Sequence, residues 1–278
     1  MRADLHLHSS YSDGRHSPRE IFSFAAQGGL DLISITDHDT VNHVRECQGE
    51  ADKAWFPFIA GVEFSTDFEG RDIHVLGYAL DTEDKTLLEH LSRSRGRRME
   101  RARKILQLLD HLNVSIPIDE LDRIPPDQTV GRPLIARLLI KYNYVRSFKE
   151  AFVRYLGTGA PAYVEYELTE TRRVLELIHN AGGVSVLAHP SPEGFEPLVE
   201  CLAADGLMGV EVYRPQLMSG QIQRVEAFTS QLGLLATGGS DWHENLPQFR
   251  LGDFHLDTDP IRPFLELVSE RAGLRAEL

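Results

Sequence analysis

The chain has 278 residues, 42% of them hydrophobic and 26% charged, enough to enclose a large core as one domain carrying an insertion. A formal charge of −13 argues against a protein that coats nucleic acid through bulk electrostatics. Two cysteines, Cys47 and Cys201, make no disulfide framework and read as reduced thiols. A first strand close to Met1 leaves no room for a signal peptide, and no apolar run approaches a membrane span, so the expected location is the cytoplasm.

From the N-terminus onward, strands and helices are predicted to alternate. Ala3–His8 reads as a strand whose period-two pattern sends His6 and His8 to one face and Leu5 and Leu7 to the other. Ser17-Pro18 opens a helix through about Gly28, with Ser as N-cap and Pro at the first helical position. Leu30–Thr36 is a nearly continuous apolar run suited to a strand buried on both faces. A helix over Val41–Lys53 follows, then strands over Phe56–Ser65 and Asp72–Ala79. Between about Thr82 and Pro161 the strand pattern stops, and helices are expected over Leu87–Leu112, Gly131–Tyr142 and Ser147–Leu156, punctuated by Pro117, Pro125 and Pro126. Residues 82–161 therefore read as a helical insertion, and 1–81 with 162–278 as the main domain. Beyond it, Thr169 is expected to cap a helix to Asn180 that Gly182-Gly183 ends. Strands over Val184–Ala188, Gly206–Tyr213 and Leu234–Gly238 complete the series, with a helix over Ser219–Leu232. Repeated alternation implies an α/β fold, a parallel sheet with helices outside.

Nine side chains able to hold a metal fall in short clusters, each at or just after a predicted strand end: His6, His8 and Asp13, then His38, Glu63, His74, His189, and Asp241 with His243. A lone His-x-His pair is weak, because a polar strand end gives the same pattern. Six such clusters are hard to read that way. In a β/α barrel the carboxyl ends of all strands meet at one face, so residues distant in sequence converge there. Imidazole and carboxylate donors without thiolate suit Mn, Fe or Zn. Nine ligands exceed what one or two ions need, and three ions with Glu63 as a bridge account for them. Asp37 and Asp39 flank His38 and are candidate carboxylates behind the ligands, Asp39 equally a cap for the following helix.

A phosphate-rich substrate is suggested by the insertion. Arg93, Arg95, Arg97, Arg98, Arg101, Arg103 and Lys104 crowd one predicted helix, with Arg97, Arg101 and Lys104 on one face and Ala102, Ile105, Leu109 and Leu112 as an apolar stripe. A charge run is usually a solvated face, and Arg101 is the member kept as a substrate contact. Arg132, between Gly131 and Pro133, is aimed by a rigid turn and suits bidentate phosphate binding. Arg214, just past a predicted strand end, is a third candidate. Tyr163 and Tyr213 are candidates for stacking a base, although aromatic residues beside strands more often serve the core. The chain holds no P-loop and no nucleophile elbow, which argues against NTP-driven and acyl-enzyme chemistry.

His6-Leu7-His8-Ser9, Asp13-Gly14, Thr36-Asp37-His38-Asp39, Gly61-Val62-Glu63, His74-Val75-Leu76-Gly77, His189-Pro190 and Ser240-Asp241-Trp242-His243 resemble the motifs of the polymerase-and-histidinol-phosphatase (PHP) family of metal-dependent phosphoesterases. The insertion, with Gly131-Arg132-Pro133-Leu134-Ile135-Ala136-Arg137, resembles the branch of nucleoside 3',5'-bisphosphate phosphatases and 5'-to-3' exoribonucleases, with Leu134 where relatives often carry His. The resemblance implies a distorted (β/α)7 barrel, with the helical insertion covering the active-site face, and three divalent ions, Mn first, with Fe or Zn as alternatives. His6, His8, Glu63 and Asp241 would hold one ion, Glu63, His74 and His189 a second, and Asp13, His38 and His243 a third. The expected nucleophile is a metal-bound hydroxide and no single protein side chain. The expected reaction releases phosphate from a nucleoside 3',5'-bisphosphate and leaves the 5'-nucleotide. Short single-stranded 5'-phosphorylated RNA is the alternative substrate, histidinol phosphate a third, and a non-catalytic metal-stabilised binding module the reading from another class. Neither membrane nor bulk nucleic acid is an expected partner.

Overall fold

A computed structural model of the chain describes residues 1–272. In chain order its elements are β1 (Arg2–Leu7), α1 (Pro18–Gln27), β2 (Leu32–Ile35), α2 (Val44–Ala54), β3 (Gly61–Phe68), β4 (Arg71–Tyr78), α3 (Lys85–His111), α4 (Asp119–Asp122), α5 (Arg132–Lys141) and α6 (Phe148–Ala151), which runs into a π-helical turn at Phe152–Leu156. There follow β5 (Thr169–Glu170), α7 (Thr171–Asn180), β6 (Val184–Leu187), α8 (Glu196–Ala204), β7 (Gly209–Tyr213), α9 (Ser219–Gln231), β8 (Leu235–Gly238), β9 (Leu256–Asp257) and α10 (Arg262–Ala272). Helices α8 and α10 and strand β9 were not expected from the sequence.

Local rules account for the better-defined starts. Ser17 accepts from the Glu20 amide and the Glu20 carboxylate accepts from the Ser17 amide at 2.8 Å, a reciprocal cap with Pro18 just inside. The helix then buries Ile21, Phe22 and Ala25 on one face. Two expected caps are absent. Thr169 belongs to β5, pairing with Thr66 of β3, and its hydroxyl accepts from Arg97. Helix α7 starts at Thr171, whose hydroxyl donates 2.9 Å to the Asp67 carbonyl. Asp39 does not cap α2, which begins only at Val44; it lies at φ 49° and faces Arg98.

The strands form two sheets, β2-β1-β9 and β5-β3-β4-β6-β7-β8. Pairs β1–β2, β3–β5, β6–β7 and β7–β8 are parallel, but β4 runs antiparallel to both β3 and β6, so the all-parallel expectation is corrected. The reason is the short connection: Glu69 and Gly70, at φ 53° and 78°, make a two-residue turn, and only a hairpin fits that length. The ladder does not close into a complete barrel. The two sheets meet through isolated bridges, Leu7 with Trp242 on one side and Ile33 with Phe58 and His38 with Glu63 on the other. These bridges bring the C-terminal ends of β1 and β2 against the start of β3, so Glu63 lies at the beginning of its strand and His74 in the middle of β4, not at strand ends as expected.

Three apolar clusters fill the space within and around the sheets, and a fourth fills the insertion. The 27-residue α3 joins the two regions. Its Leu87 and Leu91 pack with Val62, Phe64 and Ile178, while Ala102, Ile105 and Leu109 pack with Ile135 and Leu139 of α5. Each fully buried Leu or Ile contributes roughly 1.5–3 kcal/mol, so both ends of the helix are firmly held. Leu112, expected in the same stripe, is 39% exposed, one residue past the helix. Among the described residues, no helix is long and apolar enough to cross a membrane.

Candidate metal centre

Glu63 is fully buried near the start of β3 and gathers five imidazoles. Its Oε1 lies 2.7 Å from His74 Nδ1 and 2.8 Å from His189 Nε2. Its Oε2 lies 3.2 Å from His6 Nε2, 3.1 Å from His8 Nε2 and 3.2 Å from His38 Nδ1. Asp241 Oδ1 adds contacts of 3.5 Å to His6 and 3.2 Å to His8. Asp13 stands on the far side of His8, 3.2 Å from His243 Nε2 and 3.7 Å from His38 Nε2. All nine side chains singled out in the sequence therefore lie in one cluster.

Three groups of potential donor atoms are close enough to share an ion: His6, His8, Glu63 and Asp241; His8, Asp13, His38 and His243; and His38, Glu63 and His74. The first equals the grouping expected from the family resemblance. The second adds His8 to the expected set, and the third has His38 where His189 was expected. His189 nonetheless lies 3.2 Å from His74 Nδ1 as well as against Glu63. His8 Nε2 and His38 Nδ1 are buried within 3.1–3.2 Å of carboxylate oxygens but without well-aligned hydrogen-bond geometry. Buried nitrogens rarely stay orphaned, and these two point at carboxylates as metal ligands do. The residues fit divalent Mn, Fe or Zn.

The electrostatics agree with that fit. Burial alone would push the carboxyls up, but neighbouring imidazoles, His38 foremost, hold Asp13 and Glu63 well below the usual carboxylate range, and His6 and His8 do the same for Asp241. Burial drives His38 down to about 4 despite Glu63 and Asp13. On His8, burial is outweighed by hydrogen bonds with Asp241 and Glu63, which push it up to about 10. Concentrated opposite charge of this kind is what a cation would take over.

Two of the candidate ligands sit on unusual backbone. His189 and Asp241 have φ of 30° and 56°, a region that side chains other than glycine seldom adopt and that clusters at functional sites. At Gly239 a Cβ would come within 2.4 Å of His6 Cβ, so the chain passes there only without a side chain.

Carboxylates behind the ligands were mostly missed in the sequence. Glu211 on β7 is fully buried, with Oε1 2.8 Å from His6 Nδ1 and Oε2 accepting the His189 amide at 2.6 Å. An acid within the apolar run Gly209–Tyr213 was the available signal. Asp4 accepts the Ser240 amide at 2.9 Å, and burial pushes its carboxyl up to about 7. Asp37 does act behind the ligands: it accepts the Ser9 amide at 2.8 Å and the Ser12 hydroxyl at 2.5 Å, tying down the loop before Asp13.

Beside the cluster lies a pocket lined by Asp13, His38 and His74 together with Arg98, Arg101 and Arg132. Arg101 rests 4.4 Å over the Tyr166 ring and donates 2.7 Å to the Val164 carbonyl. Arg132 lies 5.8 Å from the Phe152 ring and 5.7 Å from that of Tyr163. Arg98, unremarked within the basic run, donates from Nε to Asp39 at 2.7 Å and from NH2 to Ser65 at 2.7 Å. Arg214 lies elsewhere: it donates 2.6 Å to the Pro190 carbonyl and does not line this pocket. Tyr213 also lies outside it, donating 2.6 Å to Glu226.

Comparison with known proteins places this arrangement. The model of the PHP domain matches residues 4–182. A 5'-3' exoribonuclease of Haemophilus influenzae is 31% identical over 269 residues, covering 95% of this chain and 97% of its own. A 3',5'-nucleoside bisphosphate phosphatase of Chromobacterium violaceum is 30% identical over 246 residues, 86% of each chain. The solved structure of an amidohydrolase from Chromobacterium violaceum, with bound sulfate and no metal, superposes with a TM-score of 0.87 at 29% identity, covering 98% of this chain and 97% of that one.

Proposed function

The chain belongs to the PHP domain family of metal-dependent phosphoesterases, and on that premise we propose that it removes the 3'-phosphate of nucleoside 3',5'-bisphosphates, leaving the 5'-nucleotide and phosphate. One observation carries the reading: Asp13, His38 and His74, at the edge of the nine-residue cluster, share a pocket with the guanidinium groups of Arg101 and Arg132. A substrate with two phosphates has a use for both walls.

In this proposal His6, His8, Glu63 and Asp241 would hold one divalent ion, Glu63, His74 and His189 a second, and Asp13, His38 and His243 a third, with Mn as the expected metal. Bound ions supply a nucleophilic water at neutral pH and neutralise charge on the phosphoryl oxygens. The protein orients the reaction. Glu211 sets the ring of His6 so that Nε2 faces Glu63. Arg101 and Arg132, backed by Tyr166 and Tyr163, hold the 5'-phosphate away from the ligands. No side chain need serve as nucleophile. Arg214 supports the His189-Pro190 turn by donating to the Pro190 carbonyl. We read β1–β4 and β6–β8, with their bridged seams, as a distorted (β/α)7 barrel, residues 82–161 as the insertion over its active face, and the cytoplasm as its compartment.

The Haemophilus influenzae relative supports a second reading, exonucleolytic release of 5'-nucleotides from short RNA. Both reactions cleave the bond between the 3' oxygen and phosphorus of a 5'-phosphorylated nucleotide. Phosphate and nucleotide release should be measured with adenosine 3',5'-bisphosphate, 3'-AMP, 5'-AMP, and short RNAs with and without a 5' phosphate. The bisphosphate should be turned over fastest, with 5'-AMP accumulating. Equal rates on the two monophosphates would remove the two-phosphate argument, and faster cleavage of 5'-phosphorylated RNA would favour the exonuclease.

A further inference from the structure

Asp13 and His38 sit on two loops, and the helical insertion grips both. Arg137 of α5 donates to the carbonyl of Asp13 itself. The Thr129 amide donates 2.8 Å to the carbonyl of Tyr11, two residues earlier in the same loop. On the second loop Asp39, adjacent to His38 and at φ 49°, receives Arg98 of α3 at 2.7 Å from Nε and 2.6 Å from NH2. Both partners of that pair are buried, so it is a fixed strut and not a surface contact.

The other ligands are braced from within the main fold. His6 and His189 rest on Glu211 of β7, Glu63 is held by the amide contact with Thr36, and the Ser240 amide preceding Asp241 is held by Asp4. His243 is tied through its carbonyl to the Arg15 amide. Only the Asp13 and His38 loops, held in the main fold by Asp37 and the Glu63 carbonyl, are gripped by the insertion as well. We propose that the insertion builds one of the metal positions, the one formed by Asp13, His38 and His243, and that Arg137 and Arg98 are positioning residues for that ion alone. The inference rests on the metal reading given above. Its physical basis is that a ligand on a loop must be held within a fraction of an ångström to bind a metal well, and the two guanidinium groups add a grip from the insertion to the bracing that Asp37 and the Glu63 carbonyl give the same loops from the main fold.

Equilibrating the full-length protein with Mn, removing excess by gel filtration, and counting bound metal by elemental analysis tests this. Arg137→Met, which keeps the aliphatic stem, should carry about one equivalent less than the unaltered protein, with the melting temperature of the metal-free form unchanged. Arg137→Lys should recover the missing equivalent at higher Mn. Asp39→Asn, which weakens the other strut, should lose the same equivalent, and combining it with Arg137→Met should cost no further metal. Arg132→Met, altering an insertion cation that touches neither loop, should keep the full complement. A full complement in Arg137→Met, loss of all its metal together, or a deficit in Arg132→Met would each overturn the proposal. If Arg137→Met does not fold, Asp39→Asn is read by the same standard. An unaltered protein that binds no Mn would refute the metal reading itself, a result separate from any difference among variants.

Discussion

Glu211 stands directly behind His6, its Oε1 2.8 Å from the imidazole Nδ1, with both groups fully buried. The contact decides which ring nitrogen faces Glu63, and the other carboxylate oxygen holds the backbone of His189. A single acid on β7 thus orients two ligands that lie 183 residues apart, counting from position 6 to position 189. Glu211→Gln should keep the shape and lose the charge-assisted contacts. Removing such supports typically costs about 10–100-fold in metal affinity, and titration of the metal-free variant with Mn should show a loss of that size. Unchanged affinity would mean that the His6 ring is held by packing alone.

Glu63 should be the least replaceable ligand. Both of its oxygens face imidazoles, two on Oε1 and three on Oε2. Glu63→Gln replaces one oxygen with an amide that cannot ligate, and it should lower bound metal by more than one equivalent. Elemental analysis of the purified variant checks this, alongside phosphatase activity, which should fall to background. Loss of a single equivalent with activity retained would show that Glu63 does not bridge.

Arg132 faces the pocket without a carboxylate partner among its observed contacts, lying between Phe152 and Tyr163. Truncating one partner of a desolvated charge pair costs about 2–5 kcal/mol. Arg132→Ala should therefore reduce kcat/KM for adenosine 3',5'-bisphosphate by at least about 30-fold, the lower end of that range, at 1.4 kcal/mol per factor of ten. Metal content should remain intact. Near-normal kinetics would assign Arg132 a different task.

Gly239 tests the packing behind the metal centre. A methyl group there would sit 2.4 Å from His6 Cβ and 2.5 Å from its amide nitrogen, so strand β1 or the loop must move. Overpacking of this kind typically costs about 1–3 kcal/mol. Gly239→Ala should lower the thermal midpoint and weaken Mn binding together, because the displaced residue is a ligand. A shift in stability with metal binding untouched would show that the strain is absorbed away from His6.

Residue type and strand periodicity made the ligands legible. Imidazoles and carboxylates at the ends of apolar runs have few purposes, and alternation along Ala3–His8 already placed His6 and His8 on one side. The helical character of the segment after Thr82 was legible for the same reason, since its apolar spacing follows a helix. Asp39 was not. A capping role and an ion pair look alike in sequence, and its partner Arg98 lies 59 residues away inside a run of interchangeable cations.

The nine side chains of the candidate centre could be picked out from residue types alone, because their chemistry is local to each residue and each short cluster follows its own apolar run. The tertiary structure decided how they are shared: that Glu63 divides five imidazoles between two oxygens, that His8 joins the Asp13 group, and that Arg101 and Arg132 reach the pocket whereas Arg214 turns to Pro190. It also decided that the sheet breaks into two, with β4 reversed, where alternation had suggested a continuous parallel barrel. Those outcomes depend on distances between strands and on which charges survive burial. Both are set by the packing of elements far apart in the chain, which no local pattern encodes.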